Sequence, residues 1–210
     1  MRSSTVIVAR SFARIGRDFH ARGWVLGTSG NFSAVISRDP LRLAITASGV
    51  SKGGIQRKDV VVIGPEAKAI GKAVGRPSAE ALLHLAVAKT RGAAAVLHTH
   101  SVWSTMLSEA HAGDGGLALT GFEMLKGLEG VGTDDHTEWM PILENNQDVP
   151  GLARTVESAL LEFPSTHAFL LRRHGLYTWG ADIAQATRHV EILEFLLEAT
   201  WRLQTAERRG

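Results

Sequence analysis

The sequence predicts an α/β fold of three layers, and three observations carry that expectation. Segments with helical spacing and segments with strand spacing alternate along the whole chain, no stretch between them has the composition of a linker, and no internal repeat or low-complexity tract interrupts them. The 210 residues, 44% of them hydrophobic, suffice for one core, so a single domain spanning residues 1–210 is expected.

The elements follow in order. Val6, Ala9, Phe12, Ala13, Ile15 and Phe19 recur at helical spacing between Thr5 and Ala21, and Gly23 is a stop. Gly27-Thr28-Ser29-Gly30-Asn31 is turn chemistry, after which Phe32–Ser37, Leu41–Thr46 and Val60–Ile63 read as short strands parted by Asp39-Pro40 and Gly-rich connections. Pro77-Ser78-Ala79-Glu80 opens a helix with Leu82, Leu83, Leu85, Ala86 and Val87 as buried positions, Ser78 as a possible N-cap and an end near Gly92. Ala94–His100 reads as a strand, Val102–Ala110 as a helix and Gly113–Gly116 as a loop. Trp139–Leu143 is a further strand, followed by a helix Leu152–Phe163, a strand His167–Leu171, its hairpin partner Tyr177–Trp179 and a closing helix from Asp182 to about Gln204.

Bulk properties narrow the function. Lys and Arg total 23 against 21 Asp and Glu, a formal charge of +2 without any basic tract, which does not suggest nucleic acid as a partner. There is no cysteine, so a metal must be held by nitrogen and oxygen. Arg2, Arg10 and Arg14 are interleaved with short apolar stretches unlike a signal peptide, and no run approaches the roughly 20 apolar residues of a membrane helix. A soluble, cytoplasmic protein without a membrane partner is expected.

Chemistry-bearing residues cluster in a few motifs. His98 and His100 stand two apart on a strand, where side chains share a face, so both imidazoles can meet one ion. Such a pair also arises by chance among nine histidines, and the spacing alone leaves both readings open. Catalytic zinc commonly takes three protein ligands and keeps one position open. The third candidate is His174, between an apolar strand and Gly175; a turn histidine beside Arg172 and Arg173 is the alternative. Two carboxylates compete for an acid/base role: Glu80 at a helix start, where the helix dipole alone would favour it, and Glu123, an acid interrupting apolar residues, whose pKa such surroundings would raise, unless it is a plain exposed helical acid. Thr28-Ser29-Gly30-Asn31, Thr46-Ala47-Ser48-Gly49 and Pro77-Ser78-Ala79 offer hydroxyls and backbone N–H groups suited to a phosphate, with Lys52 near the second; each by itself is also just a turn.

Taken together, Gly27–Ser33, Thr46–Gly49, Arg76–Glu80, Val96–Ser101 and Arg173-His174-Gly175 resemble the class II aldolase and adducin-type family, in consistent order from about Phe12 to Leu197. Within it, His98-Thr99-His100-Ser101 followed by Gly121-Phe122-Glu123-Met124-Leu125-Lys126-Gly127 is most similar to a dehydratase branch acting on a methylthio-substituted ketose phosphate. The resemblance implies an αβα fold around a mainly antiparallel sheet, one Zn2+ per subunit on His98, His100 and His174, and a ring-like homotetramer. It assigns Glu123 to the dehydratase acid/base, Glu80 to the carboxylate that aldolases place beside the metal, and Asn31, Ser48, Gly49 and Ser78 to phosphate binding. Arg173 stands where many members have Asn, and Ala79 where Ser is frequent. A sugar-phosphate aldolase or a ribulose-phosphate 4-epimerase would use the same metal, an adducin-like interaction module would use none, and a different metal hydrolase fits the phosphate turns poorly. Trp103, Phe122, Trp139 and Tyr177 are candidates for reading the methylthio end, with core packing as their alternative role.

Overall fold

The computed structural model describes residues 2–71 and 75–207. Its elements are α1 (Arg2–Ala21), β1 (Asn31–Arg38), β2 (Leu41–Thr46), β3 (Val60–Ile63), α2 (Ala81–Thr90), β4 (Ala95–Thr99), α3 (Val102–Ala110), β5 (Gly116–Leu119), β6 (Glu138–Leu143), α4 (Val149–Glu162), β7 (Ala168–Leu171), β8 (Gly175–Gly180) and α5 (Ile183–Glu207). The strands form one sheet in the order β3-β2-β1-β4-β8-β7-β6-β5. Only the β6–β7 pair is parallel among the described strands, so the sheet is mixed and mainly antiparallel, as expected.

Strand alternation sorts side chains into the two outer layers. Val96 of β4, Phe169 and Leu171 of β7, and Tyr177 and Trp179 of β8 face α2 and α4, where Leu83, Val87, Val156 and Leu160 close one core. Ala95 and Leu97 face the other way, onto Phe12, Ile15 and Phe19 of α1 and Val190 of α5. Leu170 and Leu176 continue that second layer against Leu107 of α3 and Leu193, Leu196 and Leu197 of α5. The helical stripe read from Thr5 to Ala21 is thus the buried face of α1. No helix among the described residues is long and apolar enough to cross a membrane.

Two readings are corrected. Gly113–Gly116 is not wholly a loop: a short 3-10 turn, Ala112–Asp114, leads into β5, which begins at Gly116. A Cβ there would lie 2.2 Å from the Trp139 ring, so this glycine permits the close β5–β6 pairing rather than marking a break. Ser78 is not the α2 cap. Glu80 occupies the N-cap without a side-chain cap bond, and the Ser78 hydroxyl instead accepts the Glu80 N–H at 3.3 Å.

Candidate metal centre

Three segments meet where β4 ends and β8 begins. His98 lies on β4, fully buried, and His100 follows just beyond it, its N–H donating to the Trp24 carbonyl at 2.7 Å. His174 stands in the turn between β7 and β8, its N–H donating to Leu171 O. The preceding Arg173 is left-handed at φ 54°, its N–H donating to the Ser108 hydroxyl. Arg172 and Arg173 both reach Glu109 of α3, at 2.7 and 2.6 Å, and together hold its carboxyl down to about 2. The arginines thereby leave His174 to turn inward. At Gly175 a Cβ would lie 2.0 Å from the Thr99 carbonyl, and at Gly30, held at φ +70°, 2.6 Å from that of His98; only glycine lets these strands approach the histidine strand so closely.

The imidazoles converge through Nε2. His98 Nε2 is 2.7 Å from His100 Nε2 and 3.4 Å from His174 Nε2. The Glu80 carboxylate completes the ring, Oε1 3.3 Å from His174 Nε2 and Oε2 3.6 Å from His98 Nε2. His98 Nδ1 donates to the Leu176 carbonyl at 2.9 Å, so its Nε2 presents a lone pair to its neighbours. The ring is pinned by stacking on Tyr177 at 3.9 Å between centroids, and Tyr177 stacks in turn on Phe169. Burial, and then the other two histidines, hold His98 well below the usual imidazole range; burial and then His174 bring His100 down to about 3. His98 and His100 are thus held in the neutral form that ligates a metal, and His98 turns its Nε2 lone pair inward. A tetrahedral ion with bonds of about 2.0–2.1 Å sets its donors about 3.3 Å apart, which the 3.3, 3.4 and 3.6 Å separations match, while the His98–His100 pair is closer. The donor set fits a metal ion.

A cavity of about 380 Å3 opens in front of the centre. Asn31, Ser48, Gly49, Lys52, Ser78, Glu80, His100 and His174 all line it, so the structure brings every one of these predicted positions to one place, with His98 behind them. Lys52 is buried, its Nζ donating to the carbonyls of Thr28 at 2.8 Å and Val50 at 2.7 Å, and burial lowers its pKa to about 8 against the pull of Glu80. Asn145, Asn146 and Gln147, between β6 and α4, also line the cavity and were missed from the sequence, where an amide run without periodicity has no signal beyond its position after a strand.

Glu123 is elsewhere. It opens a short 3-10 turn, Glu123–Gly127, in which Leu125 points inward, while its own side chain is 77% exposed and paired with Lys126 at 3.0 Å. The apolar surroundings expected for it are therefore not found within the chain, because the tight turn sends the acid outward. Of the four aromatics considered for the methylthio end, none lines the cavity: Tyr177 is core, Trp139 packs near Phe163, Phe122 joins the α5 core and Trp103 lies under Arg202.

A second cluster, His136, Glu138 and His167, also has its donor atoms close together. Here His167 uses both nitrogens, Nδ1 on Glu138 Oε2 at 2.8 Å and Nε2 donating to the Glu129 carbonyl at 2.8 Å. Burial opposes charge on both partners, yet the mutual hydrogen bond and attraction hold Glu138 below and His167 above their ordinary values. His136 Nε2 also meets Glu138 Oε2 at 3.0 Å, so the carboxylate is engaged by both rings and both nitrogens of His167 are in use.

The chain matches the family described as class II aldolase and adducin N-terminal domain over residues 10–201. It is 41% identical over 192 residues to the methylthioribulose-1-phosphate dehydratase of Sorangium cellulosum, covering 91% of this chain and 90% of that protein. A protein of the same name from Methylococcus capsulatus is 39% identical over 202 residues, covering 95% of this chain and 96% of the relative. Among solved structures, L-fuculose-1-phosphate aldolase from Thermus thermophilus superposes with a TM-score of 0.76 over 100% of both chains; at 24% identity this is a likeness of fold alone.

Proposed function

The chain belongs to the class II aldolase and adducin family, and we propose that it is a zinc-dependent hydro-lyase of methionine salvage, dehydrating 5-methylthioribulose 1-phosphate to 2,3-diketo-5-methylthiopentyl 1-phosphate. The observation that carries this reading is likeness to dehydratases of that substrate over nine-tenths of the chain, 91% in the first case. Zinc is the metal that the family resemblance implies, and the nitrogen donors of three imidazoles suit it. Held by His98, His100 and His174, it supplies Lewis-acid polarisation of the substrate ketone, which acidifies the neighbouring C3–H.

The chain's own residues then have three tasks. Lys52, with the hydroxyls and backbone N–H groups around Ser48, Gly49 and Ser78, holds the phosphate at one end of the cavity. One base takes the C3 proton, and one acid protonates the C4 hydroxyl as the C4–O bond breaks and water leaves; the resulting enol takes up a proton at C4 to become the diketone. Glu80, beside the imidazoles, faces the leaving hydroxyl as the acid. Glu123 is the base, and since it does not line this chain's cavity, it is supplied by a neighbouring copy in a cytoplasmic homotetramer.

Incubation of the zinc-loaded protein with the substrate, followed by NMR, tests the reading directly. The diketone is expected from the unaltered chain, and its formation should drop about 10^2–10^4-fold in Glu123→Gln, the range for loss of a general base. Mixing and reassembling Glu123→Gln with His98→Ala should restore part of the activity, because some shared sites then receive one intact half from each copy; no restoration would overturn the supply of Glu123 by a neighbouring copy, and full activity in Glu123→Gln itself would remove it as the base. Glu80 also stands where the resemblance puts the carboxylate of aldolases, so the carbon–carbon lyase is the second reading, and fragments of C3–C4 cleavage in the same spectra would select it.

Lys52 gives a pH signature. A lysine whose pKa burial lowers to about 8 carries its charge below that value and loses it as pH rises through it. The phosphate's own second ionisation lies near 6 and is complete there. The substrate KM should therefore climb several-fold between about pH 7 and pH 9, whereas Lys52→Met should start at least about tenfold higher and stay flat over the same range. A KM that rises equally in both proteins would remove Lys52 from phosphate binding.

A further inference from the structure

His84 sits in the middle of α2, fully buried, in a stripe that otherwise reads as core: Leu83, Leu85, Ala86, Val87 and Ala88. Its surroundings are not those of a packing residue. Nδ1 is 2.7 Å from the Ser33 hydroxyl of β1, and Nε2 makes a short hydrogen bond with Asn31 Oδ1. Asn31 Nδ2 donates to Glu80 Oε2 at 2.6 Å and to the Ser78 hydroxyl at 3.1 Å. The chain of contacts thus runs from the interior of the sheet to the carboxylate beside the three metal-facing imidazoles.

The donors and acceptors allow only one direction along it. Glu80 Oε2 accepts from the Asn31 amide nitrogen, and the proton that Glu80 gives as an acid belongs to its other oxygen, Oε1, so the Asn31 amide turns its NH2 toward Oε2 and its oxygen toward His84. A carboxamide oxygen also only accepts, so His84 must carry its proton on Nε2. Nδ1 is then bare and accepts from the Ser33 hydroxyl. Burial, which lowers the His84 pKa to about 3, keeps the ring in this neutral form. Were the proton on Nδ1, the ring would face the amide with a lone pair, the amide would flip, and its oxygen would oppose the Glu80 carboxylate.

We infer that His84 is a positioning residue for the reaction: its Nε2–H tautomer fixes the Asn31 amide so that Glu80 is held by a hydrogen bond at the metal-facing imidazoles. It rests on the proposed dehydration, because it assigns a purpose to Glu80 in that site. It also commits the Asn31 carboxamide to Glu80 rather than to the phosphate. His84 touches Tyr177 edge-on at 5.8 Å, and through it the ring stacked on His98, so the same helix position braces both halves of the centre.

Two measurements test this, one independent of turnover. In 15N-labelled protein the His84 ring should report a proton on Nε2 and a bare Nδ1, unchanged across the pH range in which the protein stays folded; a proton on Nδ1 overturns the inference. The second compares two replacements. Glutamine carries an amide nitrogen at the same number of bonds from Cα as His Nε2, whereas asparagine reaches only as far as Nδ1. His84→Asn should lose kcat about 10–100-fold, the usual cost of an outer-shell partner, with KM within about threefold and metal content unchanged, and His84→Gln should restore most of the loss. Asparagine at full kcat, or glutamine as poor as asparagine at equal unfolding midpoint, overturns the inference. Should His84→Asn fail to fold, the tautomer measurement decides alone. An unaltered protein that makes no diketone would instead count against the dehydratase reading, and the ring protons would still be read.

Discussion

His98→Ala is expected to empty the metal centre and to lower dehydration by more than about 10^3-fold. Removing an outer-shell partner of a catalytic metal typically costs about 10–100-fold, and His98 lies a shell closer. It also stands at the middle of the donor set: its Nε2 is the atom from which the contacts to His100, His174 and Glu80 radiate, at 2.7, 3.4 and 3.6 Å. Its ring is immobilised on three sides, by the strand, by the bond to Leu176 O and by the stack on Tyr177, so no neighbour can swing into its place. Metal analysis should find substoichiometric zinc in the purified variant. The fold should persist, because the cores on the two faces of the sheet do not include the imidazole. Full metal content with lost turnover would mean that His98 acts on substrate instead.

What could be read from the chain beforehand depended on periodicity. His98 and His100 were legible because period two on a strand puts them on one face, and β4 does end at Thr99, between them. His174 was legible from its place after an apolar strand and before a glycine. Lys52 and the three small-residue turns could be named singly, but that they surround one cavity is a property of the sheet order, which puts β1 beside β4 and β4 beside β8. Lone residues misled where a tight turn intervened. Glu123 looks embedded among Phe122, Met124 and Leu125, yet in a 3-10 turn neighbours diverge quickly, and the acid faces out. His84 went unnoticed for the opposite reason: a single imidazole among leucines and alanines resembles a core position, and the only hint was a polar ring in a stripe with no charge of its own to pair with. The partners that explain it lie 51 and 53 residues away.

Gly175→Ala should be nearly as damaging as losing a ligand, and for a steric reason. A methyl group at this position would stand 2.0 Å from the Thr99 carbonyl oxygen and 3.2 Å from His98 Cε1. The first clash is with backbone in the middle of the sheet, where β4 pairs with β8 through Thr99 and Leu176, so no side-chain rotation relieves it. Overpacking a core commonly costs about 1–3 kcal/mol, and a backbone collision belongs at or above the top of that range. For a chain of this length about 3 kcal/mol corresponds to a fall of roughly 6–12 °C in Tm. The strands can part only by moving His98 and His174 relative to each other, and a shift of about 1 Å in a reacting constellation costs about 10^2-fold in rate. Gly132→Ala is the control, since a Cβ there meets nothing within 4 Å. A lowered Tm with metal retained would separate the steric load from the ligand geometry. An unchanged Tm would mean that β4 and β8 are not packed as tightly as the Thr99–Gly175 approach requires.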